Sequence, residues 1–439
     1  MANPVQEAAV EAIELDAFSK DIPDLIQFDK TLYSLFKNNA TTIPVSNVTA
    51  AGGTTRPSFR VPFRPQAGAA LTQGTGNADS LGRGTGSQWA AFALSPVFVF
   101  SVCEITFLAR IATEGRKRGL FNVQAQELKN TFQQATQGLE ALCNGDGTGT
   151  LDQIPATATV NNGTGSAGPS FSSIVGMQNA FQFTDQQTVQ VISTGGTNRG
   201  SFVISFVDAV ANTIYSSTAL PSGTTTTDFL VISGSAGTAG SSIMGLRAWQ
   251  VNSNTGTIGG LSRATYPGRL STPIINLNNG ALALSTGYRA NVLLGRALGQ
   301  DNAAMKSVTW YTGPDQAMQI ANLYLNALFV NVPEAKGDSA LDMVKRNWPM
   351  SYAGRDLHVG WNALPGRLDL FTFDTWYIGE MLPLELYDFG GGITVAPVPD
   401  IINGGYLTSS MFAYVAALNL VNSNVRAGVI VSNAAQPTI

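Results

Sequence analysis

Charge is scarce in this sequence. Of 439 residues only 12% are Asp, Glu, Lys or Arg, about half the roughly 25% usual in globular chains. Glycine, at 46 residues, supplies the polar surface together with Ser, Thr, Asn and Gln. A monomer normally keeps its surface wet with charges, so this scarcity points to a surface that other subunits cover. The net charge of −4 excludes a protein that wraps nucleic acid with its whole surface. Histidine is nearly absent too. His358, beside Asp356 in GRDLHVGW, is the only one, and no GxSxG elbow offers a nucleophile. A lone histidine near a strand-like run reads as a packed or surface residue rather than a general base. The chain has two cysteines, Cys103 and Cys143. Without CxxC or any metal spacing, both read as small hydrophobes in a reducing compartment, and neither a metal nor a cofactor is expected. The opening MANPVQEAAVEAIELDAF is acidic and lacks the basic leader and apolar core of a signal peptide, so the chain is expected to be cytosolic where it is made. The most apolar run, Trp89 to Cys103, is too short to span a bilayer, and no membrane partner is expected.

What is present begins with one long amphipathic pattern. Leu128, Phe132, Ala135, Leu139 and Leu142 recur at steps of four and three, one stripe of a helix over 122–143 with Asn122 as N-cap. The glycine-rich stretch NGDGTG follows that helix. Phosphate cradles precede a helix, whose amides then face the anion, and no Gly-Lys-Ser/Thr is present. Counted from Asp146, a calcium loop would need glycine at Leu151 and glutamate at Thr157. The stretch therefore reads as a helix stop, with Gly145 at the left-handed C′ position and Gly147 and Gly149 letting the chain turn away.

Upstream, residues 1–55 read as an arm of short helical patterns without a core of its own. RPSFRVPFRP alternates, Phe59, Val61 and Phe63 to one side and Arg60, Pro62 and Arg64 to the other. A glycine-rich tip containing Arg83 follows, and a second strand-like run returns from Trp89 to Leu108. This makes a projecting hairpin over 56–108 that cannot bury its own apolar face and needs a partner surface. Phe59, Arg60, Phe63, Arg64, Arg83 and Trp89 are its candidate inter-subunit contacts. The basic cluster Arg116-Lys117-Arg118 reads as a solvated helix end, with weak contact to nucleic acid or to a neighbouring subunit as the alternative. Downstream, TVQVIS, SFVISFVDAV and DFLVISG are strand-like runs in a β-rich module of few charges. Helices are expected at Leu284–Leu298 and Pro314–Val330, and strands at GRLDLFTFDTWYI and SSMFAYVAALNLVNSNVRAGVIVS. The class is α+β.

The order of hairpin, long helix with glycine exit, helix-rich middle and closing strand pair resembles the major capsid proteins of tailed bacteriophages, the Hong Kong 97-type fold. Three segments carry the likeness. FNVQAQELKNTFQQATQGLEALCNGDGTGTL is similar to the family's spine helix, GTIGGLSRATYPG to the entry into its axial domain, and MFAYVAALNLVNSNVRAGVIVS to its last strands. The resemblance implies an N-terminal arm (1–55), an extended hairpin (56–108) and a peripheral domain (109–176). It further implies an axial domain with returning peripheral strands (251–439), and 177–250 departs from it as an inserted β-rich module. It implies a non-enzymatic coat subunit forming the hexamers and pentamers of an icosahedral virion shell around double-stranded DNA. Assembly in the host cytoplasm with a separate scaffolding protein, a portal protein and a decoration protein is implied as well, and contact with the packaged DNA would be weak and non-specific. Because only about fifty-five residues precede the hairpin, no long N-terminal extension is expected to be trimmed. Two other classes compete. A bacterial surface or pilus-type β protein would share the Gly/Ser/Thr composition but normally carries an export signal. A hydrolase would have to bring Asp146 and His358 together.

Overall fold

The structure is a computed structural model that describes residues 31–49, 55–66, 87–106, 123–162, 172–298 (apart from 186 and 239), 307–331, 351–399 and 406–435. It opens with helix α1 (Thr31–Asn39), whose Leu32, Tyr33 and Phe36 are buried. Strand β1 (Thr41–Ile43) follows, then β2 (Ser46–Thr49), β3 (Thr55–Gln66), β4 (Gln88–Leu94) and β5 (Val97–Thr106). The periodic helix is α2, Val123–Asn144; its expected cap Asn122 lies outside the described residues, as do the cluster at 116–118 and Arg83.

A β-rich unit comes next, in two four-stranded sheets. One has the order β10 (Asn198–Val203), β9 (Thr188–Ile192), β13 (Phe229–Ile232), β6 (Thr150–Gln153). The other runs β11 (Phe206–Asp208), β12 (Thr213–Ser216), β8 (Ser172–Val175), β7 (Thr159–Asn161). Leu151, Ile174, Val189, Phe202, Ile214 and Leu230 belong to one apolar core here. The unit therefore begins at Thr150, well before the module boundary expected at 177, because β6, β7 and β8 supply partners that the later strands need. SFVISFVDAV is not one strand. It divides at Ile204-Ser205 and crosses from one sheet to the other.

After the short helix α3 (Leu246–Trp249) and the hairpin β14 (Thr257–Ile258) and β15 (Leu261–Ser262), a six-stranded mixed sheet forms. It contains β16 (Ile274–Gly280), β17 (Val308–Thr312), β18 (Ser351–Tyr352), β19 (Arg355–Val359), β20 (Leu368–Thr372) and β24 (Gly428–Ala434), in the order β16-β24-β20-β17-β19-β18. Helices α4 (Leu284–Leu298) and α5 (Pro314–Asn331) accompany it, and Ala290, Leu294 and Ile320 join its core with Trp310, Leu370 and Val429. Pro314 occupies a first helical position, where its missing N–H costs nothing. The remaining strands, β21 (Trp376–Leu386), β22 (Ala396–Pro399) and the 17-residue β23 (Tyr406–Asn422), build a five-stranded sheet with β1 and β5. Among the described residues, no helix is long and apolar enough to cross a membrane.

Two expectations for the N-terminal third need correcting. The segment taken for an arm without a core supplies part of the largest core from residue 31 onward. Phe36 is fully buried, its ring 4.9 Å from Trp376, 5.8 Å from Phe373 and 6.1 Å from Phe371. The returning run from Trp89 is two strands, not one. Ser95-Pro96 interrupts it, since proline cannot donate to a ladder; β4 stays with β3, and β5 crosses to pair with β23 from Thr106↔Ser409 to Val97↔Leu418.

One buried carboxylate makes the β-rich unit sensitive to pH. Asp152, in β6, accepts from the N–H groups of Gln153 (2.8 Å) and Asn179 (3.3 Å). Burial nevertheless pushes its carboxyl up to about 6. The folded value lies above the unfolded one of about 3.9. Its contribution is therefore complete below about pH 4 and is lost as pH rises through 6. We expect Asp152→Asn, which keeps one acceptor, to gain roughly 2 kcal/mol on the parent between pH 4 and 7. That figure takes about 1.4 kcal/mol for each tenfold change in proton affinity, less the part already lost at pH 4, where the unfolded carboxyl is about half ionised. Urea unfolding at both pH values checks this; a parent-to-variant difference that does not change with pH contradicts it.

Candidate functional site

The long helix is held at both sides of its C-terminal half. Thr136, Glu140 and Asn144, spaced by four, are all buried and lie beside the apolar stripe read from the sequence. The Glu140 carboxylate accepts from the N–H of Leu32 (2.8 Å) and of Tyr33 (2.6 Å), the first turn of α1, and from the Tyr311 hydroxyl at 3.4 Å. Two of the N–H groups that a helix start leaves unpaired are thus satisfied by an anion placed where the helix dipole favours one. Burial raises the Tyr33 and Cys143 hydroxyl and thiol well above their ordinary values, and Glu140 adds to the rise at Cys143. Asn144 donates its side-chain N–H to the Asn362 carbonyl. The sequence reading found the apolar stripe and missed this polar one; its signal was the four-residue spacing of Thr136, Glu140 and Asn144.

At the exit, the N–H of Gly145 bonds the Leu142 carbonyl at 2.9 Å. The left-handed residues are Gly147 (φ +86°) and Gly149 (φ +77°), not Gly145. The helix closes on this tight turn at Gly145, and the chain reverses two residues later than expected. Little else would fit. A Cβ on Gly147 would lie 2.5 Å from the Met244 sulfur, and one on Gly149 2.3 Å from Ser235 Oγ. Asp146 stays within the turn, accepting from the Thr148 N–H at 3.0 Å. The Gly147 carbonyl accepts from the N–H of Gly240 (2.9 Å) and Ser242 (3.2 Å), and the Gly149 carbonyl from that of Ile232 (3.0 Å). Arg247 donates to the Asn144 carbonyl at 3.0 Å and to that of Thr150 at 3.4 Å, a cation at the negative end of the helix. Burial pulls its guanidinium down from the ordinary arginine value, and nearby Asp146 pulls it back. The turn's polar groups thus meet protein partners, which favours a structural exit over a ligand loop.

The hairpin residues divide by register. Phe59, Val61 and Phe63 are buried, as is Phe92 opposite, and the surface that covers them belongs to the same chain. The Phe59 ring lies where a Cβ on Gly379 would be 2.3 Å away, and Phe63 packs 5.2 Å from Phe92 and 6.0 Å from Tyr266. Thus Phe59 and Phe63 are core residues rather than exposed contacts. Arg60 and Arg64 face outward. The Arg64 guanidinium stands 5.8 Å over the ring of Trp89, which is 66% exposed. On β5, Ser101 and Cys103 face the long helix, bonding Thr131 and Glu127. The alternate residues Phe98 (51%), Phe100 (57%) and Val102 (58%) are exposed, with the two phenyl rings stacked 6.2 Å apart. Among the described residues β5 pairs with no strand other than β23, and its other edge is unpaired by them.

Asp146 and His358 share no hydrogen bond. His358 sits in β19 opposite Tyr311, where burial pulls its imidazole below the ordinary value and Asp356 partly offsets this. Burial raises the Cys103 thiol to about 11, which leaves it protonated and unreactive at neutral pH. Among the described residues, no group of three His, Cys, Asp or Glu side chains could hold a metal.

No family model matches the sequence, and no curated protein matches it. Similarity appears in three dimensions. A chain of the cyanophage A-1(L) capsid asymmetric unit shares the fold over 96% of this chain and 97% of its own, at 13% identity and a TM-score of 0.54. Weaker likenesses extend to a chain of the empty GTA particle capsid (10% identity, 99% of both chains, TM-score 0.47) and to one of mycobacterium phage Adephagia (10% identity, 99% and 100%, TM-score 0.46). The chain has a phage capsid-protein fold, the mixed α+β architecture that the resemblance implied.

If the exit is structural, substitutions should rank by backbone strain. We expect Gly147→Val and Gly149→Val to cost on the order of 3 kcal/mol or more, through positive φ and the clashes described. Gly145→Ala should cost less, since Gly145 is not left-handed, although its Cβ would stand 2.9 Å from the Leu142 carbonyl oxygen and 3.5 Å from that of Ala141. Asp146→Asn should cost under about 1 kcal/mol, because asparagine retains an acceptor. Thermal melts of the four variants check the order; Asp146→Asn as the most damaging would indicate a ligand site.

Proposed function

We propose that this chain is the major coat subunit of a tailed-phage particle, with the Hong Kong 97-type domain arrangement, assembling as hexamers and pentamers into an icosahedral shell around double-stranded DNA. The observation that carries the reading is the likeness to a cyanophage capsid chain over nearly the whole of both molecules. The surface supports it. Exposed Phe98, Phe100 and Val102 on an open-edged strand are costly for a lone subunit, and a second copy would cover them. Arg60, Arg64 and Trp89, on the strands of the hairpin, are the contacts we assign to neighbouring subunits, and Arg83, in the sequence between those strands, is assigned with them. Scaffolding, portal and decoration proteins are the further partners of such a subunit. Its place is the virion shell, after assembly in the host cytoplasm.

Purified full-length protein should form shells or rings visible by negative-stain microscopy and sedimenting far above the 46.2 kDa subunit. Deleting residues 67–86 should leave a folded, soluble subunit, because Phe59, Phe63 and Phe92 are buried against the body of the same chain, yet closed particles should be lost. Fibres or a permanent monomer from the parent would overturn the coat reading; closed particles from the deletion would remove the hairpin tip from assembly.

A further inference from the structure

Four of the 25 lysines and arginines of this chain meet around one open pocket. Arg64 from β3, Arg269 from the loop after β15, Arg296 from the last turn of α4 and Arg426 from the β23–β24 turn line a space of about 440 Å³, and among the described residues no carboxylate lines it. Arg64 is partly engaged by Trp89, and Arg296 is favoured at a helix C-terminus. Neither fact accounts for the convergence. Among the described residues Arg269, Arg296 and Arg426 make no side-chain hydrogen bond or ion pair. Bringing four like charges to one place without a counter-charge is unfavourable, and in so weakly charged a sequence it is not a by-product of composition.

The missing counter-charge is in the same sequence. Residues 1–30 carry seven acidic side chains against two lysines, a net of −5, and the other 409 residues carry a net of +1. Glu7, Glu11 and Glu14 recur at steps of four and three, the spacing that sets side chains on one face of a helix. The segment leaves from a fixed point, since α1 is tied to Glu140 directly after it. Thirty residues reach up to about 100 Å, enough for the pocket of the same chain or of a neighbouring copy. We propose that the arginine pocket is the docking site for the acidic N-terminal segment of this chain, with carboxylates of residues 7–16 taken by Arg269, Arg296 and Arg426. The guanidinium fork suits carboxylates held two oxygens at a time. The docking does not depend on the shell reading.

Arg296→Lys places an amine in the pocket of the full-length protein. Zero-length carbodiimide coupling followed by peptide mass spectrometry then reports which carboxylates lie against it. The Lys37–Glu380 pair, 3.3 Å apart, serves as the internal control. Cross-links from position 296 to Glu7, Glu11, Glu14 or Asp16 are expected, and they should fall at least tenfold in 0.5 M salt, as screening requires. Mixing isotope-labelled and unlabelled protein tells the same chain from a neighbouring one, and either supports the proposal. Control cross-links with none from position 296 to residues 7–16 would overturn it. So would arginine protection that depends on co-purified nucleic acid and disappears with nuclease, which would make the pocket a phosphate site.

Discussion

The Glu140 carboxylate is the contact on which the rest of the subunit depends. A fully buried charge is costly unless hydrogen bonds satisfy it, and here it receives two backbone N–H groups and a tyrosine hydroxyl from two other elements. Those bonds fix the start of α1 against the long helix. With α1 fixed, Phe36 enters the aromatic group of Phe371, Phe373 and Trp376, and β1 is led into parallel pairing with β21. Hydrogen bonds to a charged acceptor contribute about 1.5–3 kcal/mol each. Removing this acceptor would leave two buried donors unpaired and loosen three elements together.

The same helix organises the other direction of the chain. Its last carbonyl, that of Asn144, is met by Arg247, and the next one, that of Gly145, by the N–H of Ala248. The reversal at Gly147 and Gly149 then sends the chain into β6, where the β-rich unit starts. The subunit closes its interior by long-range contacts: Phe92 lies 5.0 Å from Trp249, and the Trp249 indole N–H reaches the Leu420 carbonyl at 3.0 Å. Interior contacts are thus settled within one chain, while Phe98, Phe100 and Val102 of β5 stay exposed.

Local patterns in the sequence were enough to read the longer helices, though not the four-residue α3. The stripe from Leu128 to Leu142 and the proline at 314 predict α2 and the start of α5, because periodicity and caps are properties of neighbouring residues. Partner choice was not legible. Phe59 and Phe63 announce an apolar face but not that Gly379, over three hundred residues later, makes room for it. SFVISFVDAV alternates through a corner where it changes sheets, and Trp89–Leu108 reads as one strand because a single proline is weak evidence for a change of sheet. Glu140 stayed hidden because a glutamate on a helix is normally solvated, and only the fold puts α1 over it. The coat reading came from element order, which survives at 13% identity when individual residues do not.

Amide hydrogen exchange on the isolated subunit and on assembled particles tests the division between interior and assembly surface most directly. Leu32 and Tyr33, bonded to Glu140, should exchange as slowly as β20 core amides in the isolated subunit and should not change on assembly. The amides of residues 98–102 that do not bond β23 should exchange quickly in the subunit and become protected in particles. Rapid exchange at Leu32 and Tyr33 in the subunit, or an outer edge of β5 that stays unprotected in closed particles, would contradict it.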